Sequence, residues 1–181
     1  MRLFSRWWLI FILFIPLVVN SADYFPNEQL FSGQKLVLNG KGVRTKAVFA
    51  LYTAGLYLTE KNNNSSTILN SDDPMALRIE ITSAMITSEN MAEAVREGFK
   101  KSSTDLPALK SQIEQLIAAF KQKIHKGDVY DFITDGDVIH ILKNGSVLTT
   151  IEGAEFKQAF FGIWLGKSPV QASLKKALLA G

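Results

Sequence analysis

Two dipeptides, Asp135-Gly136 and Asn144-Gly145, constrain the fold of this 181-residue chain more than any other feature. Each joins a residue that tolerates the left-handed backbone region to one that enters it freely, which is the chemistry of a tight hairpin turn. Around them run Val129 to Thr134, Val138 to Lys143 and Val147 to Ile151, short segments rich in β-branched residues. The reading is a three-stranded antiparallel meander, and the rest of the domain must be built around such a sheet.

Upstream, Lys35 to Leu38 reads as a short strand, with a turn at Asn39-Gly40-Lys41-Gly42 and a long strand from Val43 to Leu58. Beyond Ala47 both faces of that long strand are apolar, which predicts a central position, and Gly55 predicts a bulge or a close backbone approach. Leu77, Ile79 and Ile81 alternate with Arg78 and Glu80, a strand with one wet face. Residues 23–33 are expected to lie across the surface before the first strand, and Lys61 to Ser66 to form a solvated loop.

Helical spacing appears in two segments between the strands. One is capped near Ser88, with Met91, Ala94, Val95, Gly98 and Phe99 on one stripe. The other starts near Asp105 with Pro107 in its first turn, presents Leu109, Ile113, Leu116, Ile117 and Phe120, and runs towards Gly127. A helix from Ala154 to Trp164 stops at Gly166, and a short one opens at Ser168-Pro169. Strands, two helices, a meander and two more helices specify an α+β domain with helices packed on one face of an antiparallel sheet.

The N-terminus reads differently from the rest. Arg2 and Arg6 precede an apolar run from Trp7 to Val19, and Val19 and Ser21 supply small side chains for cleavage. Residues 1–21 are expected to be a signal peptide, leaving a single domain over 22–181 in the periplasm or secreted. The run falls short of the ~20 residues of a spanning helix, so no stable membrane insertion is expected after cleavage. Two of the 20 basic residues lie in this leader, so the formal charge of +3 is no argument for nucleic acid. The chain has no cysteine, which excludes disulfides, thiolate metal sites and a cysteine nucleophile.

The usual catalytic and cofactor signatures are missing: no Gly-x-Ser-x-Gly, no His-Glu-x-x-His, no phosphate-binding glycine loop and no dinucleotide fingerprint. No cofactor is expected, and two isolated histidines, His125 and His140, make no metal site. Arg44 is the candidate site residue. A guanidinium keeps its charge and, beside apolar surface, needs either an internal carboxylate or an anionic ligand. Tyr52 lies an even number of positions away, so on a regular strand it shares Arg44's face. A straight strand would hold the two about 26 Å apart, so they converge only if a bulge or hairpin intervenes. Without convergence, Arg44 pairs with a nearby acid and Tyr52 is a core aromatic. Phe160, Phe161, Ile163 and Trp164 are expected to pack the closing helix on the sheet, and Lys46, Lys157, Lys167, Lys175 and Lys176 to be solvated.

Gly40-Lys41-Gly42-Val43-Arg44, followed by Phe49 to Leu58 ending in Gly-Leu-Tyr-Leu, resembles the first long hairpin of the chalcone isomerase superfamily. Phe156 to Pro169, with Leu174-Lys-Lys-Ala-Leu-Leu179, resembles the C-terminal helices of its bacterial exported branch. The resemblance implies an open-faced β-sandwich with a ligand cleft between sheet and helices. In the enzymes the arginine matched by Arg44 attracts a phenolate during ring closure, so Arg44 is the catalytic candidate if the chain is an enzyme. The enzymes' other polar groups fall at Tyr52, Met91, Gly98 and Lys157, and a thioether or bare α-carbon cannot stabilise an enolate. Arginine with tyrosine in this strand instead resembles the fatty-acid-binding branch, where the two hold a carboxylate. The expectation is non-catalytic binding of a fatty acid or other small amphipathic carboxylate by Arg44 and Tyr52. The alternatives are an isomerase or intramolecular lyase acting on a non-flavonoid unsaturated substrate, and a structural domain with a filled cleft.

Overall fold

The computed structural model describes residues 24–181, so the signal peptide expected over residues 1–21 lies outside the described residues. Seven strands, β1 (Glu28–Phe31), β2 (Gln34–Lys46), β3 (Phe49–Leu58), β4 (Met75–Ile81), β5 (Val129–Asp135), β6 (Val138–Lys143) and β7 (Ser146–Glu152), form one antiparallel sheet in sequence order. The sheet curls, and helices cover one face of it. The helices are α1 (Ser65–Asn70), α2 (Ser88–Ser102), α3 (Leu106–Ala119), α4 (Ala154–Leu165) and α5 (Ala172–Leu178). This is the α+β architecture that the sequence predicts.

The main core lies between sheet and helices. Leu56, Leu77, Ile81 and Phe132 from the sheet meet Phe99, Leu116, Phe156 and Phe160 from the helices. Phe160 is the hub of the aromatic packing, with ring centroids 4.9 Å from Phe132, 5.1 Å from Phe161 and 5.3 Å from Trp164. A smaller core of Phe25, Phe31, Leu36, Tyr57, Ala76 and Ile133 covers part of the opposite face.

Several local expectations are corrected. The strand expected over Val43 to Leu58 is two strands, joined by a turn at Ala47-Val48 in which Ala47 takes φ +51°. The turn expected at Asn39 to Gly42 is strand: β2 runs straight through it. Gly40 and Gly42 are there because α5 lies against them. A Cβ on Gly40 would overlap the Ala177 carbonyl oxygen and come within 2.7 Å of that of Leu178, and one on Gly42 would come within 2.7 Å of the Ala177 Cβ. Residues 28–31, expected outside the sheet, pair with β2 through Ser32-Gly33, both at positive φ. Asn64 caps a short helix that begins inside the stretch expected to be loop. The first long helix is capped one residue earlier than expected, by Thr87, in a reciprocal pair with Asn90.

The wet face expected of β4 is partly closed. Arg78 makes a two-bonded ion pair with Asp131 on β5, at 2.7 and 3.0 Å, beneath the Phe31 ring. Its Nη1 also donates to the Tyr24 carbonyl, so the N-terminal segment roofs the pair. Lys157, expected to be solvated, is 4% exposed. Its ammonium sits 3.2 Å from both Asp72 and Asp137 and donates to the Gly136 carbonyl at 3.0 Å, tying α4 to two loops. Lys175 likewise donates to the Gly166 carbonyl, satisfying an acceptor just past α4. The closing helix begins at Ala172, later than Ser168-Pro169 suggests, because Gln171 is extended and occupied elsewhere.

Candidate functional site

A bulge decides where Arg44 points. Leu36 and Leu38 belong to the smaller core on the face away from the helices, and strict alternation would send Arg44 there too. The pairing of β2 with β3 slips between Leu38 and Gly40, leaving Asn39 as the extra residue. Every later residue is flipped, so Gly40, Gly42 and Arg44 face the helices. Asn39 holds the bulge with its own side chain: it donates to the carbonyls of Asn62 and Leu178 at 2.9 and 2.8 Å and accepts from the Asn62 amide. At 2% exposure this amide could not be left unpaired.

From there strand and helix run in step. Gly40 meets Ala177 and Leu178, Gly42 meets Ala177 and Leu174, and Arg44 meets Gln171. Two strand residues advance ~6.6 Å and one helical turn ~5.4 Å, so each step along β2 is matched by about one turn of α5.

The β2–β3 turn solves the distance between Arg44 and Tyr52. They are directly paired across the hairpin, and the rung continues to Ile81 in the main core. A second slip beside them leaves Leu51 extra, and its carbonyl accepts from the amides of Thr82 and Ser83. The half-buried Arg44 donates through Nη1 to the Gln171 side-chain oxygen at 3.0 Å and to the Thr45 carbonyl. Among the described residues no Asp or Glu forms an ion pair with it. The internal acid weighed above is therefore absent there, and the charge is held by neutral oxygens.

Tyr52 accepts a 2.9 Å hydrogen bond from the Trp164 indole Nε1. A phenol that accepts once still has its own O–H to donate. Burial pushes its pKa up to about 12, against the opposing pull of the Trp164 bond and of Arg44. It is thus a protonated donor at neutral pH.

The sequence singles out Arg44 and Tyr52 as candidates but gives no sign of the two residues that hold them. Trp164 was read as packing, which is half of its role, since its ring also packs on Phe160. Gln171 carried no signal. Its oxygen also accepts from the Thr45 amide at 2.9 Å, while its nitrogen donates to the Val43 carbonyl and to Ser173 Oγ. Of the enzymes' remaining positions, Lys157 has its ammonium taken up by Asp72, Asp137 and the Gly136 carbonyl, and the other two hold no side-chain donor. Met91 packs partly buried against the core, and Gly98 lies so close to Ile163 that a Cβ would come within 2.9 Å of it.

Other polar candidates lie apart. His140 Nδ1 is 3.2 Å from Thr150 Oγ1, and His125 is mostly exposed, 3.8 Å from Asp128. Surface hollows of about 180 Å³ and 410 Å³ border Lys157 and the start of α2 respectively, and neither is lined by Arg44 or Tyr52.

Residues 21–180 match the model of the chalcone isomerase-like family. The chain belongs to that family. A search of curated protein sequences finds no match. Among solved structures, this chalcone isomerase-like domain is similar to a fatty-acid binding protein of Arabidopsis thaliana. The TM-score is 0.70 at 17% identity, over 86% of this chain and 91% of that one. At that identity the likeness establishes the shared fold.

Proposed function

We propose that this chalcone isomerase-like domain binds a fatty acid or a similar small amphipathic carboxylate without transforming it, with Arg44 and Tyr52 holding the head group. The observation that carries this reading is the shared Arg44–Tyr52 rung, facing the helices, with a guanidinium that only neutral oxygens satisfy. A carboxylate there would take a charge-assisted bond from Arg44 and the spare O–H of Tyr52. The fold shared with a plant fatty-acid binding protein supports the reading, as do Met91 and Gly98 at the positions where an isomerase needs donors.

On this reading the tail enters beside Trp164. Its ring packs on Phe160 and its Nε1–H donates to Tyr52, so seating a tail there would require the indole to shift. We further propose that binding takes place after export, on the strength of the Arg2–Arg6 leader; N-terminal sequencing of the exported protein should begin at Ala22 or Asp23.

Titration calorimetry with palmitate tests the site. Loss of one charge-assisted contact should weaken binding of Arg44→Ala by about 10- to 100-fold, and Tyr52→Phe should weaken it by about 5- to 10-fold. Equal affinity in wild type and Arg44→Ala, or no binding of any fatty acid by the wild type, overturns the proposal.

A further inference from the structure

The β2–β3 hairpin does not end at the Arg44–Tyr52 rung. Beyond Arg44 it continues through Thr45, Lys46, Ala47, Val48, Phe49 and Ala50, every one of them exposed. At its extremity Val48 is 88% exposed and Phe49 55%, and Val43 on the same hairpin is 43% exposed. A tight turn of this kind ordinarily carries Asn-Gly or a similar polar pair. Here Ala47 adopts positive φ without being glycine or asparagine, and Val48 stands next to it. The backbone is bent at some cost to present an apolar tip, where a solvated turn would use polar residues.

The charge on the hairpin has one sign. From Gln34 to Leu58 there is no Asp or Glu, while Lys35, Lys41, Arg44 and Lys46 are basic. Lys35 is paired with Glu28 at the far end, and Lys46 sits across the turn from Phe49. An apolar point with Lys46 beside it, on a hairpin that carries no acid, matches the boundary of an anionic lipid bilayer, with apolar side chains among the acyl chains and lysine reaching back to the head groups. It is a poor match to an ordinary soluble surface, where such a projection has nothing to bury it.

We propose that the β2–β3 tip, through Val48 and Phe49 with Lys46 beside them, docks this domain on an anionic lipid surface. Each cation brought to such a surface contributes roughly fivefold in affinity, so the attachment is weak, reversible and salt-sensitive. It stands whether or not Arg44 holds a carboxylate. If both hold, the Arg44–Tyr52 rung lies on the same hairpin, just behind the docked tip.

The chain has no cysteine, so a single Val48→Cys substitution carries an environment-sensitive NBD label at the tip of the full chain. Val147→Cys, at an exposed valine on β7 (65%), is the control, and it shares the same N-terminal leader. Vesicles of phosphatidylcholine with about one third phosphatidylglycerol should raise the Val48 label's emission at least twofold and shift it to the blue. The Val147 label should stay unchanged, and Lys46→Glu should lower the apparent affinity at least fivefold. A Val48 label as quiet as the Val147 label, or one that responds equally to pure phosphatidylcholine, overturns the proposal. So does a response that appears without vesicles as protein concentration rises, which would mark the tip as a self-association surface. Palmitate binding by Phe49→Asp, measured by calorimetry, should equal wild type, which separates failure of docking from failure of the carboxylate site.

Discussion

The β5–β7 meander and the β2–β3 hairpin are both antiparallel, both built around glycine, and one is legible in the sequence while the other is misleading. In the meander, Gly136 and Gly145 take φ +56° and +81°, and a side chain on either would meet only open space. They are glycines for conformation. Gly40 and Gly42 have ordinary strand backbone and no room, because α5 presses on them. They are glycines for space. A turn glycine is defined by its immediate neighbours, whereas a contact glycine is defined by a helix well over 100 residues later in the chain. The same residue type therefore indicates a turn in one case and hides a continuous strand in the other.

The comparison can be broken by giving both kinds of glycine a side chain. Gly40→Val should be the most damaging change, about 5 kcal/mol or more and enough to leave no folded protein, because its methyls would have to occupy the place of the α5 backbone. A cooperative urea transition near that of wild type would show that α5 does not pack as described.

Between the two regions lies β4, joined to the meander by the Arg78–Asp131 pair. Asp131→Ala should cost about 3–4 kcal/mol by leaving a guanidinium under Phe31 without its partner. The double change Arg78→Met with Asp131→Leu should recover most of that loss, and denaturant midpoints for the three proteins check both claims. In the meander, Gly145→Ala should cost only about 1–2 kcal/mol, the cost of a left-handed alanine with nothing to collide with. A larger loss than for Gly40→Val would reverse the distinction.

The smallest effect contrasts one tyrosine from each region. Tyr52 and Tyr130 are both pushed up to about 12, by burial in each case; Arg44 and the Trp164 bond pull Tyr52 back, and Asp128 pushes Tyr130 further. Between pH 10 and 12 the unfolded phenols ionise while the folded ones keep their protons. The unfolded state then binds fewer protons, and stability should fall as pH rises through that window. Ultraviolet titration of Arg44→Ala should raise the Tyr52 pKa and leave Tyr130 where it is; a change in Tyr130 would mean that the substitution disturbs more than its own rung.

Where structure follows from neighbours in the chain, the sequence was a sufficient guide. The meander, the cap at Asp105, the stripe from Leu109 to Phe120 and the helix from Ala154 to its stop at Gly166 all follow from spacing and turn chemistry. The Ser32-Gly33 turn was available by the same logic, since that dipeptide is a turn signal, and with it the first strand. Arg44 stands out as a candidate in the sequence too, because a permanent cation beside apolar sequence is costly unless something answers it. Its geometry is not legible there. The Asn39 bulge that turns Arg44 towards the helices depends on carbonyls of Asn62 and Leu178, and local spacing contains neither.

By itself, then, the chain's sequence determined an antiparallel sheet, its helices and a lone cation worth explaining, because those rest on backbone preferences and periodicity within a few residues. Only the tertiary structure decided that Arg44 and Tyr52 share a rung, that Gln171 and Trp164 hold them, and that Lys157 is buried. Each of those depends on groups far apart in sequence competing for the same hydrogen bonds and the same volume, and that competition is settled only when the sheet and α5 close on one another.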